Sequence, residues 1–151
     1  MNVLKNHYTS KAICNKIFSI VLALFLISFF SFSQEKTHNI TVTIDNVSND
    51  NGKVVLGLHT SDTFMKGKGI QNTEAKIENG KVTVTFKNVK PGNYAILALH
   101  DENENNRMDF ENGMPIESYG MSNNPMTYGP PQYSDAEFEV TTGDLDLKIR
   151  F

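Results

Sequence analysis

Short segments in which every second residue is apolar recur from Ile40 to the C-terminus. Ile40, Val42 and Ile44 alternate with threonines, and a second segment of the same kind begins at Val82. Because successive side chains of a strand point to opposite faces, this period of two predicts strands with one buried face. The pattern therefore favours β-structure over an amphipathic helix.

The same pattern, bounded by turn residues, predicts seven strands: 40–44, 54–58, 75–78, 82–86, 94–99, 136–140 and 145–151. Asn51-Gly52 is predicted to close the first two strands into a hairpin, and Pro91-Gly92 to form a type II turn. We therefore expect an all-β chain, a single antiparallel β-sandwich of immunoglobulin or transthyretin-like type with about seven strands and one long ordered loop.

The first 33 residues are predicted to be a signal peptide and not part of the fold. Three lysines precede a nearly unbroken apolar run from Ile17 to Phe32, and small residues at Ser31 and Ser33 suit a cleavage site. The run is about sixteen residues long, short of the roughly twenty that span a bilayer as a helix. Residues 34–151 would form the exported domain, in the periplasm or secreted. An uncleaved membrane anchor is the alternative.

Processing changes both the cysteine content and the charge. The single cysteine, Cys14, lies in the leader, so the mature domain has neither a disulfide nor a thiolate ligand or nucleophile. The leader holds three of the 14 basic residues and none of the 17 acidic ones, so the remaining 11 and 17 give a net charge of −6. This balance, with no basic stripe, disfavours nucleic acid as a partner. After cleavage we expect no stable membrane span.

Residues 101–134 form a long loop without a strand pattern of its own. Connections of this length in compact domains are usually functional or disordered. Its aromatic and methionine content favours an ordered loop. Phe110 and Tyr133 are predicted to be buried against the sandwich, whereas the sequence does not decide between burial and recognition for Tyr119 and Tyr128.

The start of this loop has the spacing of a calcium-binding loop. Oxygen-bearing side chains stand at its first, third, fifth and ninth positions, and the Arg107 carbonyl stands at the seventh; the side chains are those of Asp101, Asn103, Asn105 and Asp109. Alternate residues of a tight loop can converge on one hard cation, and ligands that are all oxygen suit Ca²⁺. A calcium site is therefore one of two interpretations of this spacing.

The match to an EF-hand-type loop is incomplete. The sixth position, usually Gly, is Asn106, and the twelfth, usually a bidentate Glu, is Asn112. Glu111 or Glu117 is expected to supply the missing carboxylate, with weak binding on the order of 10⁻⁴–10⁻³ M. The alternative is a solvated turn, because Asp and Asn favour turns for local reasons alone.

Four segments together resemble one bacterial family. They are PGNYA at 91–95, HDENEN at 100–105, GMPIESYGMSNN at 113–124 and GPPQYSDA at 129–136. They resemble the family called domain of unknown function 2141, over about Ile40 to Phe151. The resemblance implies an exported bacterial β-sandwich and no reaction. Members often have Gly in the Asp-Asn loop, where this chain has Glu104 and Asn106.

The leading hypothesis is a non-enzymatic envelope module whose loop is ordered by Ca²⁺ and which binds an envelope or extracellular ligand or protein. One alternative is a purely structural envelope protein without a metal. A second is an envelope hydrolase using Asp101, Glu117 or His100. A zinc or hydrolytic site at His59, His100 and Glu117 has no close histidine spacing to support it, and no serine lies in a nucleophile elbow.

Overall fold

The computed structural model describes residues 36–126 and 129–151. The predicted signal peptide, with Cys14, and Tyr128 lie outside the described residues. In the described ranges the strands are β1 (His38–Ile44), β2 (Lys53–His59), β3 (Gln71–Lys76), β4 (Val82–Val89), β5 (Gly92–Asp101), β6 (Phe110–Glu111), β7 (Met114–Pro115), β8 (Tyr119–Met121), β9 (Phe138–Val140) and β10 (Leu145–Lys148). One short helix, α1 (Tyr133–Ala136), precedes β9.

Two main sheets form the domain. The first has the strand order β10-β1-β4 and the second the order β3-β2-β5-β8, with β9 pairing the start of β5. The short strands β6 and β7 form a separate two-stranded hairpin. The predicted all-β, sandwich-like fold is confirmed, and most strand pairs are antiparallel. The pair β1–β10 is parallel, from Ile40 opposite Leu145 to Thr43 opposite Lys148.

The inward rows of the two sheets meet in one core. Ile40, Val42 and Ile44 of β1 and Val54 and Leu56 of β2 are completely buried in the same cluster. Removing an aliphatic side chain of this size from water stabilises a fold by about 1.5–3 kcal/mol. Strands β1, β2, β4 and β5 therefore hold the domain together without disulfides.

The predicted hairpin between the first two strands is wrong. β1 pairs with β4 and β10, whereas β2 pairs with β3 and β5, so the two strands lie in different sheets. The connection crosses the edge of the sandwich because Val47 is buried in the core and its N–H donates to the Gly80 carbonyl over 3.0 Å. Gly52 still has the positive φ that its turn motif predicts, at 64°.

A smaller cluster covers one end of the outer face of the second sheet. Phe64, Ala95 and Ala136 are its buried members, and Tyr133 packs edge-on against Phe64 with ring centroids 5.7 Å apart. The predicted burial of Tyr133 is therefore met in part, since this side chain is half-buried. Ala136 ends α1 instead of opening a strand, so the predicted strand 136–140 is shortened to β9.

The described residues of the long loop, 101–126 and 129–134, include strands that their sequence pattern does not signal. β8 adds an edge to the second sheet, and β6 and β7 project as a hairpin. Phe110 lies on that hairpin and is 62% exposed, so its predicted burial is wrong. The reason is that a two-residue strand outside both sheets has no facing layer on which the ring can pack. Across residues 36–126 and 129–151, no helix has the length and apolar character needed to cross a membrane.

Candidate functional site

Asp101 ends β5 and curls the following loop back onto itself. Its Oδ1 accepts the backbone N–H of Asn105 over 3.0 Å, and its Oδ2 accepts that of Asn106 over 2.8 Å. The side chain is completely buried. A buried carboxylate needs such partners, because desolvating it without them would be very unfavourable.

Two asparagine side chains converge on Asp109. The amide groups of Asn103 and Asn105 donate to its Oδ2 over 2.6 and 2.8 Å. The Asn103 Oδ1 also accepts the N–H of Asn105 over 3.1 Å, and the Asn105 Oδ1 accepts that of Arg107 over 2.9 Å. These are the local turns that favour Asn in loops, and they place the third, fifth and ninth positions around one point.

Glu117 joins the two ends of the loop. Its Oε1 accepts the N–H of Glu102, and its Oε2 accepts the N–H of Asp109, both over 3.1 Å. The residue is only 8% exposed. It lies directly before the sequence that forms β8, so the edge of the second sheet fixes its position. Of the two glutamates that the sequence leaves open, Glu117 is therefore the one whose carboxylate lies against the loop.

Hydrogen bonds through side chains or the main chain connect five of the predicted ligands: Asp101, Asn103, Asn105, Asp109 and Glu117. Glu111 lies on the exposed hairpin and makes no hydrogen bond with any of these five in the described part of the chain. The Arg107 side chain is exposed, with Nε 3.9 Å from Asp109 Oδ1; its predicted role is through its carbonyl alone.

In the described ranges, no group of three or more His, Cys, Asp or Glu side chains is arranged to hold a metal ion. A cation in this loop would therefore need amide and main-chain oxygens beside the carboxylates. The donor set suits Ca²⁺, which accepts carboxylate, amide and carbonyl oxygens in a flexible geometry. The side-chain amides of Asn103 and Asn105 would have to flip by half a turn. Each amide oxygen would then take nearly the position that the nitrogen has in this structure.

The loop also contains backbone conformations that few residues adopt. Asn106, at the sixth position, has φ 62°, the left-handed geometry that its glycine-like role predicts. Glu104 has φ 61°, and a long side chain is disfavoured there by roughly 1–2 kcal/mol. Glu104 thus occupies a conformation better suited to glycine.

The hairpin β6–β7 grows directly from this loop. The N–H of Ile116 donates to the Asp109 carbonyl over 3.0 Å, while the N–H of Asp109 donates to Glu117. The hairpin carries Phe110 and Met114, both largely exposed. Any group that fixes Asp109 and Glu117 therefore also fixes the direction in which these two apolar side chains point.

That hairpin forms one wall of a groove over the outer face of the second sheet. The groove has a volume of about 1290 Å³. Its floor comes from side chains that point away from the core, with Val55 opposite Leu99 and Gly57 opposite Leu97 on the paired strands β2 and β5. We call it the outer-face groove. The sequence signal for this groove is the apolar character of both faces of residues 94–99, which is also typical of a central strand.

The opposite wall and the rim carry the charges of the outer-face groove. Met65 and Lys68 come from the loop after β2, and Arg107 comes from the loop that begins at Asp101. Glu74 also lines the groove, but its Oε2 lies 2.7 Å from the Lys53 ammonium. The hydrogen bond to Glu74 is the main reason that the pKa of Lys53 is raised.

His59 and His100 are not brought together. His59 lies opposite Ala95 and Val54 lies opposite His100 on the β2–β5 ladder, a separation of five residues or roughly 17 Å at 3.4 Å per residue. The His100 ring is buried, stacks on Phe151 at 6.3 Å and has Nε2 2.9 Å from the Asn51 carbonyl. The two histidines are therefore too far apart to form, with Glu117, the zinc or hydrolytic site that the sequence already disfavours.

Comparison with known families agrees with the resemblance of the four sequence segments. Residues 42–148 match the model of the family described as uncharacterized protein conserved in bacteria, DUF2141. The matched range includes the whole Asp101–Glu117 loop and every strand from β2 to β9. Searches of the curated proteins and of the solved structures gave no significant match.

Proposed function

Because the chain belongs to the DUF2141 family of uncharacterized proteins conserved in bacteria, we propose that it is an exported, non-enzymatic envelope module whose loop is ordered by calcium. The loop is the segment 101–117. The ordered loop positions hairpin β6–β7 beside the outer-face groove, where a ligand binds. The positive leader and apolar run of the first 33 residues support export.

The observation that carries this proposal is the burial of two carboxylates that form no ion pair among the described residues, although the pKa of the nearby Lys53 ammonium is raised by Glu74 and, more weakly, by the Asp101 carboxylate. Asp101 is completely buried and Glu117 is 8% exposed, and in the described part of the chain neither forms an ion pair with Lys, Arg or His. Buried charges are normally paired or coordinate a metal. Each of their four oxygens accepts one backbone N–H and keeps a second lone pair for a cation.

The residues that would hold the ion are the five that this hydrogen-bond network connects, together with the Arg107 carbonyl. A calcium ion there supplies two positive charges between carboxylates that otherwise rely on N–H dipoles. The Asn103 and Asn105 oxygens, not their amide nitrogens, would face the ion. With few carboxylates, the affinity should fall in the range of extracellular modules, about 10⁻⁴–10⁻³ M.

Two features support a binding role over catalysis. All four oxygens of Asp101 and Glu117 accept main-chain N–H groups, an arrangement that holds a loop in shape rather than presenting a carboxylate to a substrate. The exposed apolar side chains nearby offer contact area but no nucleophile. The loop therefore acts as a support, and the groove beside it acts as the binding surface.

Thermal unfolding in millimolar calcium and in chelator tests the calcium part. At ten times Kd, calcium binding adds about 1.4 kcal/mol, a Tm increase of several degrees for a domain of this size. The double variant Asp101→Asn/Asp109→Asn should lose this increase. The matched control Asp146→Asn, on exposed β10, should keep it.

Superimposable melts of the native protein with and without calcium would overturn the proposal in favour of the metal-free structural alternative. The same conclusion would follow if the double variant and the native protein responded equally to calcium. Parallel melts in Mg²⁺ should give a smaller increase, because Mg²⁺ demands a tighter octahedral geometry and gives up its water reluctantly.

A further inference from the structure

The outer-face groove gathers exposed apolar side chains of this domain. In the described ranges seven large apolar residues are exposed, and four of them line this groove: Met65, Phe110, Met114 and Tyr119. Soluble proteins rarely concentrate such groups on one surface unless it binds something. The concentration marks the groove as a ligand surface.

We propose that the outer-face groove binds a free, single-chain anionic amphiphile, such as a long-chain carboxylate. The hydrocarbon chain lies on the floor formed by Val55, Leu97 and Leu99, and the anionic head lies at the rim beside Lys68 and Arg107. This inference rests on the proposed function only in that the calcium-ordered loop supplies one wall.

The floor favours a hydrocarbon chain over a peptide. A peptide carries a donor and an acceptor at nearly every residue, and these need partners when they are buried. The floor strands β2 and β5 are both flanked by paired strands along this stretch, so their main-chain groups are already used. The side chains of Val55, Leu97 and Leu99 offer no hydrogen bond. A methylene chain needs none.

The walls of the groove also suit a flexible hydrocarbon chain. Gly57 lies on the floor beside Leu97, and a Cβ there would come within 2.6 Å of His59 Nε2. The absent side chain makes room for the His59 ring, so the apolar part of the floor is the stretch formed by Val55, Leu97 and Leu99. Met65 and Met114 stand on the two walls, and the unbranched methionine side chain adapts easily to irregular apolar ligands.

The charges at the rim select the sign of the head group. Glu74 is neutralised by Lys53 at 2.7 Å, which leaves Lys68 and Arg107 as the cations facing the groove. Lys68 forms no ion pair in the described part of the chain, and Arg107 has only a 3.9 Å approach to Asp109. In a chain with a net charge of −3, two cations beside an apolar floor favour an anionic head.

Binding of a fluorescent polyene C18 carboxylate, kept below its critical micelle concentration, tests the proposal. We expect saturable one-to-one binding to the full mature protein. The corresponding C18 alcohol should bind at least about tenfold more weakly, which corresponds to a single lost charge contact. Phe110→Ser/Met114→Ser should weaken carboxylate binding by about tenfold or more.

Matched controls separate the groove from general surface effects. Ile116 is 61% exposed on the same segment but does not line the groove, so Ile116→Ser should bind the carboxylate normally. Lys68→Gln/Arg107→Gln should bring the carboxylate to the affinity of the alcohol. Lys76→Gln/Lys87→Gln, outside the groove, should leave the preference for the carboxylate intact.

Absence of saturable binding would overturn the proposal, as would equal affinity for carboxylate and alcohol. Equal losses of carboxylate affinity in the groove variants and their controls would also overturn it. So would binding of the probe that appears only under conditions in which sedimentation shows a dimer. These outcomes are distinct from failure of the calcium proposal, because the calcium-dependent melts use no amphiphile and the binding titrations can be repeated in chelator.

Discussion

The backbone N–H of Asp109 donates to Oε2 of Glu117 over 3.1 Å, and Oε1 of the same carboxylate accepts the N–H of Glu102. One buried side chain thus joins the start of the loop to the base of hairpin β6–β7. The hairpin forms a wall of the outer-face groove, so the loop and the groove are mechanically connected through this residue.

Replacing Glu117 should therefore affect stability and calcium response together. In Glu117→Gln one backbone N–H would face the amide nitrogen instead of an oxygen, leaving a buried donor unpaired. We expect a loss of about 1–3 kcal/mol in the free energy of unfolding, measured by urea denaturation, and loss of most of the calcium-dependent Tm increase. Glu111→Gln, on the exposed hairpin, is the control and should match the native protein in both. A calcium response unchanged in Glu117→Gln would remove this residue from the ligand set.

A methyl group at Gly52 should displace the start of the same loop. Gly52 has φ 64°, and a Cβ there would collide with the main chain of Asp101 and Glu102. Gly52→Ala should lower the free energy of unfolding by at least about 2 kcal/mol, from backbone strain and overpacking combined. Gly143→Ala, where a Cβ meets only open space, should stay within about 0.5 kcal/mol of the native protein. Equal changes in the free energy of unfolding for the two substitutions would contradict the close approach of Gly52 to the main chain of Asp101 and Glu102.

The conformation of Glu104 predicts a stabilising substitution. A glycine at φ 61° relieves a strain of roughly 1–2 kcal/mol but adds about 0.4–1 kcal/mol of chain entropy to the unfolded state. Glu104→Gly should therefore raise the free energy of unfolding by up to about 1.6 kcal/mol. Asn106→Gly is the comparison and should gain less, because Asn already tolerates this geometry. Chemical denaturation of both variants in chelator measures the difference, and a destabilised Glu104→Gly would show that its side chain has another role.

His59 predicts a dependence of stability on pH. Burial lowers its pKa below the ordinary value of 6.5, while the hydrogen bond between Nδ1 and the Thr63 carbonyl opposes this shift. The unfolded chain then binds a proton at a higher pH than the folded one. The stability contributed by neutral His59 is complete above about pH 6.5 and is lost as the pH falls toward the lowered folded pKa. Melts from about pH 7.5 to pH 5.5 should show a larger Tm decrease for the native protein than for His59→Gln; equal decreases would contradict the assignment.

Much of the fold follows from sequence because period-two patterns are local. Segments such as Ile40–Ile44 and Val82–Phe86 contain their own evidence of strand and of buried face. Sheet membership is not local: the Asn51-Gly52 turn fits a hairpin, but burial of Val47 carries the chain to the other sheet. β8 was missed because three residues, one of them Gly120, are too few to establish a period.

The candidate site likewise has one part that the sequence predicts and one part that it does not. Asp101, Asn103, Asn105 and Asp109 lie in one contiguous run, so their spacing predicts that they converge. The choice between Glu117 and Glu111 depends on the path of the chain through β6, β7 and β8, which no spacing rule provides. The outer-face groove needs residues from several segments that are far apart in the sequence, and the exposure of Phe110 follows from that same arrangement.

The most direct test of the account is a crystal structure of the protein grown in millimolar calcium, with anomalous difference maps. We predict an ion 2.3–2.6 Å from oxygens of Asp101, Asn103, Asn105, Asp109 and Glu117 and from the Arg107 carbonyl. The two asparagine amides should be turned so that oxygen faces the ion. A loop in which both amides still donate to Asp109, with no ion among these residues, would contradict the central claim.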